Sequence, residues 1–525
     1  MELISLISLL GLGLIQQVLA ASKVVPLNFR RYRSSTVINS DIAPATLYND
    51  FQHIYYLINI TVGTPPQSMT LDLDTGSSDI WMFSPEAMES CHGSCVGAAY
   101  YSNQSSTYQP LSQDGPFDIT YGDGTQVEGN YFSDVLTVGG VSVSNATMAV
   151  ATDLLFWDLP GPGIMGIGYD QNEAADRPYP GLLNDMVNQG LINTRAFSLW
   201  LNDREASTGT ILFGGYDTDK YTGELTTLDN QQTTTGTYSQ FEVAWTSLTL
   251  SNSTTSICIS PSNFSEQTLL DSGTSLSIIP TDMYNSLAEY FGAYVDNTTG
   301  LQLVNCDLGQ GSLDFGFGGS SSPLVSVPFS ELAFPAYYQN TSTPQPVMLS
   351  DGTQACSFGL LPAEGLGFYV LGDTFLRSAY VVFDLDDHVI GIAQSNFNST
   401  SSNVVEIHAG NQPFGTAVAS ATGTEIGRTS TGDELPVNDR NATSAVIAST
   451  SLRSHTAVTS EVTASLSRST YETIRSATVS SASSTPSSGA SVPKAAGHLL
   501  VSTLGAAAAA AAHAVGFWNL VDRVV

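Results

Sequence analysis

The feature that most constrains the fold of this 525-residue chain is a short motif that occurs twice. "LDLDTGSSDIW" spans Leu71 to Trp81, and "LLDSGTS" spans Leu269 to Ser275. Both copies read apolar, Asp, Thr or Ser, Gly, Ser or Thr, Ser. The repeat continues downstream. About a hundred residues after each Asp comes an apolar pair followed by glycine: Gly166 in "GIMGIG" and Gly372 in "YVLGDT". A repeat of this kind predicts two similar lobes whose Asp-bearing loops meet at a pseudo-two-fold axis. It also selects among the three aspartates of the first copy. Strand alternation cannot separate Asp72 from Asp74, because both point to one face. Aligning the copies places Asp72 opposite Leu269 and Asp79 opposite Leu276. Only Asp74 has an acidic partner, Asp271. Asp72 and Asp79 are left with structural or surface roles.

Two carboxylates held close together cannot both ionise cheaply, so they share one proton. The ionised partner can take a proton from a water between them, and the protonated partner can donate to a carbonyl oxygen. Such a pair suits attack of water on an amide in acid without a covalent intermediate. The neighbours have matching expected roles. Gly76 and Gly273 let the backbone come close. The Ser77 and Thr274 hydroxyls orient the carboxylates. Thr75 and Ser272 can bond across the axis. As a lone triplet, Asp-Thr/Ser-Gly is also an ordinary Asx turn; two triplets in matched contexts argue against that.

These residues resemble the pepsin-like aspartic proteases from Tyr55 to about Gln394. "YYLINITVGTPPQSMTLDLDTGSSDIW" is similar to the family's N-terminal strands and first active-site loop, and "LLDSGTSLSIIP" to its second. "ITYGDGTQVEG" resembles the flap hairpin. The resemblance implies a mainly β, bilobal fold with a cleft between pseudo-symmetric lobes, and endopeptidase activity at acid pH. It implies that Tyr121 and Gly122 belong to the flap over the substrate and that Trp81 is the hydrogen-bonding neighbour of Tyr121. Asp123 lies where it could reach a Lys or Arg at the cleavage site; as part of Asp-Gly it is equally a hairpin turn residue. The tail and the sequons described below are similar to those of fungal yapsin-type, surface-anchored members. There are departures. Cys258 stands alone where the family often has a pair, and no lysine is clearly placed to cover the two aspartates.

Outside the motifs the chain divides by composition. Residues 1–20 read as a signal peptide, apolar from Leu3 to Leu14 with small residues near Ala20, though without a basic residue at the start. Residues 21–50 carry Lys23, Arg30, Arg31 and Arg33 and read as a basic propeptide or a disordered leader. Residues 51–225 and 226–397 are the two expected lobes. They consist of short β-rich runs broken by Gly and Pro, with "GLLNDMVNQGL" and "TDMYNSLAEYF" as helix candidates. From Tyr55 to Ser395 there are 37 acids against 5 bases, so the whole net charge of −32 sits on this block. Such a block repels nucleic acid and anionic lipid, and it fits acid adaptation or plain solubility. Residues 398–490 are rich in Ser and Thr and read as a glycosylated, disordered stalk. Residues 491–525 read as the signal for a glycosylphosphatidylinositol anchor, with a single spanning helix as the alternative.

Five cysteines fit an oxidising compartment. Cys91 and Cys95 lie four apart, Cys306 and Cys356 could close a larger loop, and Cys258 is left over. Nine sequons, at Asn59, Asn103, Asn145, Asn252, Asn263, Asn297, Asn340, Asn398 and Asn441, fit a secreted glycoprotein. No cysteine or histidine pattern suggests a metal or a cofactor. The expected partners are peptide or protein substrates acted on by a monomer at the outer cell surface. An inactive adhesion glycoprotein on the same fold is the rival reading, but such a relative usually loses one Asp triplet. A glycoside hydrolase would also use two carboxylates, yet it would not explain the repeat.

Overall fold

Two strands that carry the motif aspartates organise the molecule. In the computed structural model the described residues are 23–33, 54–91, 95–112, 115–122, 125–155, 161–206, 208–296, 301–319, 325–338, 345–410, 414, 417–419 and 421–424. Strand Gln67–Asp74 runs parallel to Gly163–Gly166, with Leu73 opposite Met165 and Asp74 opposite Gly166. Strand Glu266–Leu270 runs parallel to Tyr369–Leu371, with Leu270 opposite Leu371. In each half the strand after the Asp loop returns antiparallel on the far side. Trp81 lies opposite Ile164 in the first half, and Ile278 opposite Val370 in the second. The sequence repeat is therefore a repeat of strand topology, and the architecture is mainly β in two lobes.

The two downstream glycines are explained by crowding. A Cβ on Gly166 would lie 2.7 Å from the backbone of Ser78, and one on Gly372 would lie 2.2 Å from the carbonyl oxygen of Thr274. Each glycine lets the chain pass directly behind the Asp loop of its own half.

Each lobe supplies its own sheet. Fifteen strands, mostly from the first half, form the larger sheet, which also takes in Ala379–Asp384 and Val389–Ser395 from the second. Eight strands form the sheet of the second half. One apolar cluster runs from Leu71, Leu73 and Met165 to Leu270, Leu371 and Phe375. A second lies beneath the hairpin and holds Trp81, Phe83, Phe117, Val127 and Tyr131. Both helix candidates are helical. Thr281–Phe291 buries Met283, Tyr284 and Leu287 at three- to four-residue spacing and ends on Gly292 at φ 69°, a left-handed cap that suits glycine. Leu182–Asn188 buries Leu182, Leu183 and Met186.

Cys91 pairs with Cys95 and Cys306 with Cys356, while Cys258 is free and exposed. Strand formation extends beyond the expected lobes at both ends. Within residues 21–50, Val25–Arg33 is a strand between Thr208–Phe213 and Ile54–Val62. Beyond 397, Val404–Glu406 pairs with Gly215–Asp217, and Ala417–Ala419 runs parallel to part of Tyr221–Asp229. Ile407 is buried and Phe414 packs edge-on against Tyr216. These two apolar side chains hold the first residues of the expected stalk on the folded body. The expected signal peptide, the rest of the stalk and the anchor segment lie outside the described residues. Among the described residues no helix is long and apolar enough to cross a membrane.

Candidate active site

Asp74 ends its strand, and Asp271 follows Leu270 directly at the end of the matching strand. Both loops then turn sharply and use their motif residues in the same way. The N–H of Gly76 donates to Asp74 Oδ1 at 2.7 Å, and the Ser77 hydroxyl donates to Asp74 Oδ2. The N–H of Gly273 donates to Asp271 Oδ1 at 2.8 Å, and the Thr274 hydroxyl donates to Asp271 Oδ2 at 2.5 Å. Each carboxyl is thus fixed by the glycine two residues on and the hydroxyl three residues on.

The glycines also fix the distance between the loops. A Cβ on Gly76 would lie 2.6 Å from Asp271 Cγ, and one on Gly273 would lie 2.7 Å from Asp74 Cγ. No other residue fits at either position without pushing the carboxyls apart. Thr75 and Ser272 lock the arrangement. The Thr75 hydroxyl donates to the carbonyl of Leu270 at 2.9 Å and accepts the N–H of Ser272 at 2.9 Å. The Ser272 hydroxyl donates to the carbonyl of Leu73 at 2.7 Å and accepts the N–H of Thr75 at 3.2 Å. Four hydrogen bonds, all buried, cross between the halves. They satisfy backbone groups that would otherwise be orphaned at the strand ends.

Burial raises the pKa of Asp74 well above the carboxylate range, and the charge of Asp271 and a hydrogen bond between the two carboxyls raise it further. The hydroxyl of Ser77 and the N–H of Gly76 oppose this only in part. A buried pair in contact holds one proton between its members over a wide acid range.

Pro116–Thr120 pairs antiparallel with Gln126–Val138 to form a hairpin. At its tip the N–H of Tyr121 donates to the carbonyl of Thr125 at 2.8 Å. Trp81 is buried, stacks edge-on against Phe83, and donates from Nε1 to the Tyr121 hydroxyl at 2.7 Å. Gly122 is exposed at the tip. Asp123 lies outside the described residues.

Three side chains behind the first loop were not assigned to it from the sequence. Asp79, left with a structural or surface role when the two motif copies are aligned, is fully buried. It accepts the hydroxyls of Tyr131 at 2.9 Å and Tyr179 at 2.8 Å and the N–H of Ala174 at 2.7 Å. Its role is structural and it is not a surface residue. Asn172 donates to the carbonyl of Gly76 at 3.1 Å, and no short motif marks it. Asp72 is buried beside the pair and accepts the N–H of Tyr56 at 2.8 Å. Its position two residues before Asp74 was visible, but its burial was not.

Of the sequons, Asn59, Asn103, Asn145, Asn263 and Asn398 are exposed, and Asn252 is half-buried with its amide on the hydroxyl of Tyr290. Asn297, Asn340 and Asn441 lie outside the described residues. Among the described residues no group of three or more His, Cys, Asp or Glu is arranged to hold a metal ion.

Comparison with known proteins gives the same picture. Residues 55–395 match the family described as "Eukaryotic aspartyl protease". The chain is 36% identical over 434 residues to the "Probable aspartic-type endopeptidase opsB" of Aspergillus fumigatus, covering 79% of this chain and 84% of that one. It is 32% identical over 383 residues to "Secreted aspartic protease 3" of Candida albicans, covering 70% and 86%. Among solved structures, the aspartic proteinase from Irpex lacteus superposes with a TM-score of 0.53 at 22% identity, covering 72% of this chain and all of that one.

Proposed function

Because the chain belongs to the eukaryotic aspartyl protease family and is an aspartic-type endopeptidase, we propose that Asp74 and Asp271 are the pair that performs its chemistry. A water held between the two carboxyls loses a proton to the ionised one as its oxygen attacks the scissile carbonyl carbon. The protonated carboxyl donates to the carbonyl oxygen, which gives a neutral tetrahedral diol. The carboxyl that took the water proton then passes it to the amide nitrogen, the C–N bond breaks, and a diol hydroxyl returns a proton to the pair. The observation that carries this reading is the matched hydrogen bonding of the two carboxyls, in each of which one oxygen accepts a glycine N–H and the other a hydroxyl. Each oxygen has a second lone pair to offer the shared proton and the water.

Thr75 and Ser272 keep the two halves of the site in register, and Tyr121, held by Trp81, closes the hairpin over a bound peptide. The enzyme acts in acid on peptides and proteins and prefers Lys or Arg at the cleavage site. It works as a monomer on the outer side of the cell membrane or wall, after removal of residues 1–20 and of a propeptide within residues 21–50. It is held there by a glycosylphosphatidylinositol anchor attached near residue 490. The printed name of the Candida relative supports the secretory pathway, and the exposed sequons suit glycosylation there. The test is cleavage of quenched peptides carrying Lys or Leu at the cleavage site, from pH 3 to 8, with products identified by mass. Expected are internal cuts, a maximum in acid and faster cleavage of the Lys peptide. A maximum above pH 7 would contradict the mechanism. Loss of the surface protein on treatment with phosphatidylinositol-specific phospholipase C tests the anchor; retention would favour a spanning helix.

A further inference from the structure

The loop that carries Asp74 rests on a second piece of chain, and the fit begins with a glycine. A Cβ on Gly168 would lie 2.6 Å from the Ser78 hydroxyl oxygen and 3.0 Å from the Ser77 carbonyl oxygen. The chain after Gly166 therefore passes close beside the loop before it turns through Asp170–Asn172. Four consecutive loop residues bond to it. The Ser77 carbonyl accepts the N–H of Gly168 at 2.9 Å, and the Ser78 hydroxyl donates to the carbonyl of Tyr169 at 2.7 Å. Asp79 accepts the N–H of Ala174 at 2.7 Å, and the Gly76 carbonyl accepts the Asn172 amide at 3.1 Å. A carbonyl oxygen only accepts, so the amide turns its N–H side to Gly76. Of these four bonds, the one from Asn172 lies nearest to Asp74 along the chain.

The place of that carbonyl matters. It lies in the chain between the two donors on Asp74, the N–H of Gly76 at 2.7 Å and the hydroxyl of Ser77. Holding its oxygen fixes the peptide plane that links the two donors. The second half is built differently at this point. After Gly372 the N–H of Asp373 donates to the carbonyl of Thr274 at 2.9 Å, and the hydroxyls of Thr374 and Ser277 share a bond of 2.7 Å. Gly273 is the counterpart of Gly76, and among the described residues no side chain donates to its carbonyl. The two carboxyls therefore have matched donors, and a side-chain amide braces the donors on Asp74 alone.

We propose that Asn172 is a positioning residue for Asp74: its amide holds the Gly76 carbonyl and, through it, the two hydrogen bonds that orient that carboxyl. The assignment rests on the reading that Asp74 and Asp271 carry the chemistry. It makes the two members of the pair unequal although their motif is repeated. It also has a pH signature. The bonds from Gly76 and Ser77 favour the ionised form of Asp74, against burial and the charge of Asp271. Without the amide both bonds loosen, and Asp74 keeps its proton to higher pH. The neutral-side limb of kcat then moves up while kcat itself falls. Other titratable groups surround these elements. Asp72 lies beside the pair, and Asp79 with Tyr131 and Tyr179 lies behind the loop. Asp170 and Glu173 belong to the segment of Asn172, and Arg195 acts on Asp170.

The test measures kcat and KM on one quenched peptide from pH 3 to 7.5, with the full-length wild type, Asn172→Ala, Asn172→Asp and Ser78→Ala. In Asn172→Ala, kcat is expected to fall about fivefold, as for one lost hydrogen bond, with KM nearly unchanged. Its neutral-side limb is expected to move up by about half a pH unit. Asn172→Asp can donate to Gly76 while its carboxyl is protonated and repels the carbonyl once ionised. Its kcat should approach that of the wild type at pH 3 and drop to the level of Asn172→Ala by about pH 6. Ser78→Ala removes another bond to the same segment and should lower Tm without moving the limb. A limb that stays in place in Asn172→Ala, or that moves equally in Ser78→Ala, would overturn the assignment. If thermal unfolding shows that Asn172→Ala does not fold, Asn172→Asp decides: a constant ratio of its kcat to the wild type at every pH would overturn the assignment. A wild type that cuts no peptide would overturn the reading of the pair and the assignment with it.

Discussion

At the residue scale the site depends on two hydroxyl side chains that tie its loops together. Thr75 and Ser272 use both hydroxyls to tie Leu73 and Leu270 across the axis. Removing one hydroxyl leaves two buried backbone groups unsatisfied. Thr75→Ala should cost about 1–3 kcal/mol, read by urea unfolding at pH 4, and Ser272→Ala should cost a similar amount. The double variant should cost less than the sum, because the two residues share one network; full additivity would contradict that network. Gly76 and Gly273 were legible as close-approach positions because the chain repeats them beside each Asp. Asp74 was legible only because Asp271 exists. Asp72 shows what was hidden. Alternation gives its face, but whether that face is covered depends on residues about ninety positions away, such as Ile164.

At the element scale two devices position the pair. The chain passes so close behind the Asp loops at Gly166 and Gly372 that no side chain fits there. Gly372→Ala should therefore lower stability by about 1–3 kcal/mol, with activity falling alongside because the loop must shift. Unchanged unfolding would show that the loop has room. A hydrogen bond from Trp81 holds the Tyr121 hydroxyl at the hairpin tip. Trp81→Phe keeps an aromatic ring in the buried cluster but removes the donor. The expected result is a several-fold loss in kcat/KM, consistent with one hydrogen bond of about 1 kcal/mol, with Tm lowered only slightly. A large drop in Tm with kinetics intact would make Trp81 a packing residue only. The hairpin and both helices could be read locally, from "YGDG" and from apolar spacing. The strands Val25–Arg33, Val404–Glu406 and Ala417–Ala419 could not, because their strand state depends on partners elsewhere in the chain: the first fits between Thr208–Phe213 and Ile54–Val62, and the two three-residue runs pair with Gly215–Asp217 and Tyr221–Asp229.

At the scale of the whole molecule the account concerns pH. Burial pushes Glu173 up to about 9 and Asp384 and Asp185 to about 6, and it raises Asp79 as well. Each of these carboxyls has a higher pKa folded than unfolded. Its stabilising contribution is complete below the unfolded value, near 4, and is lost as pH rises through the folded value. The excess of acids adds repulsion in the same direction. Tm should therefore be highest near pH 4 and lower by at least about 5 °C at pH 8, and Glu173→Gln should reduce that fall. A Tm that rises towards neutral pH would refute this. The charge count made acid adaptation visible in the sequence, but the particular buried acids were not, since burial is set by contacts between distant strands. The central claim is that one proton shared by Asp74 and Asp271 drives hydrolysis. It is tested most directly by kcat on a single peptide at pH 4 for the wild type, Asp74→Asn and Asp271→Asn. The account predicts a loss of at least about 10² to 10⁴-fold in each variant with folding intact. Cleavage by either variant at a rate near that of the wild type would contradict it.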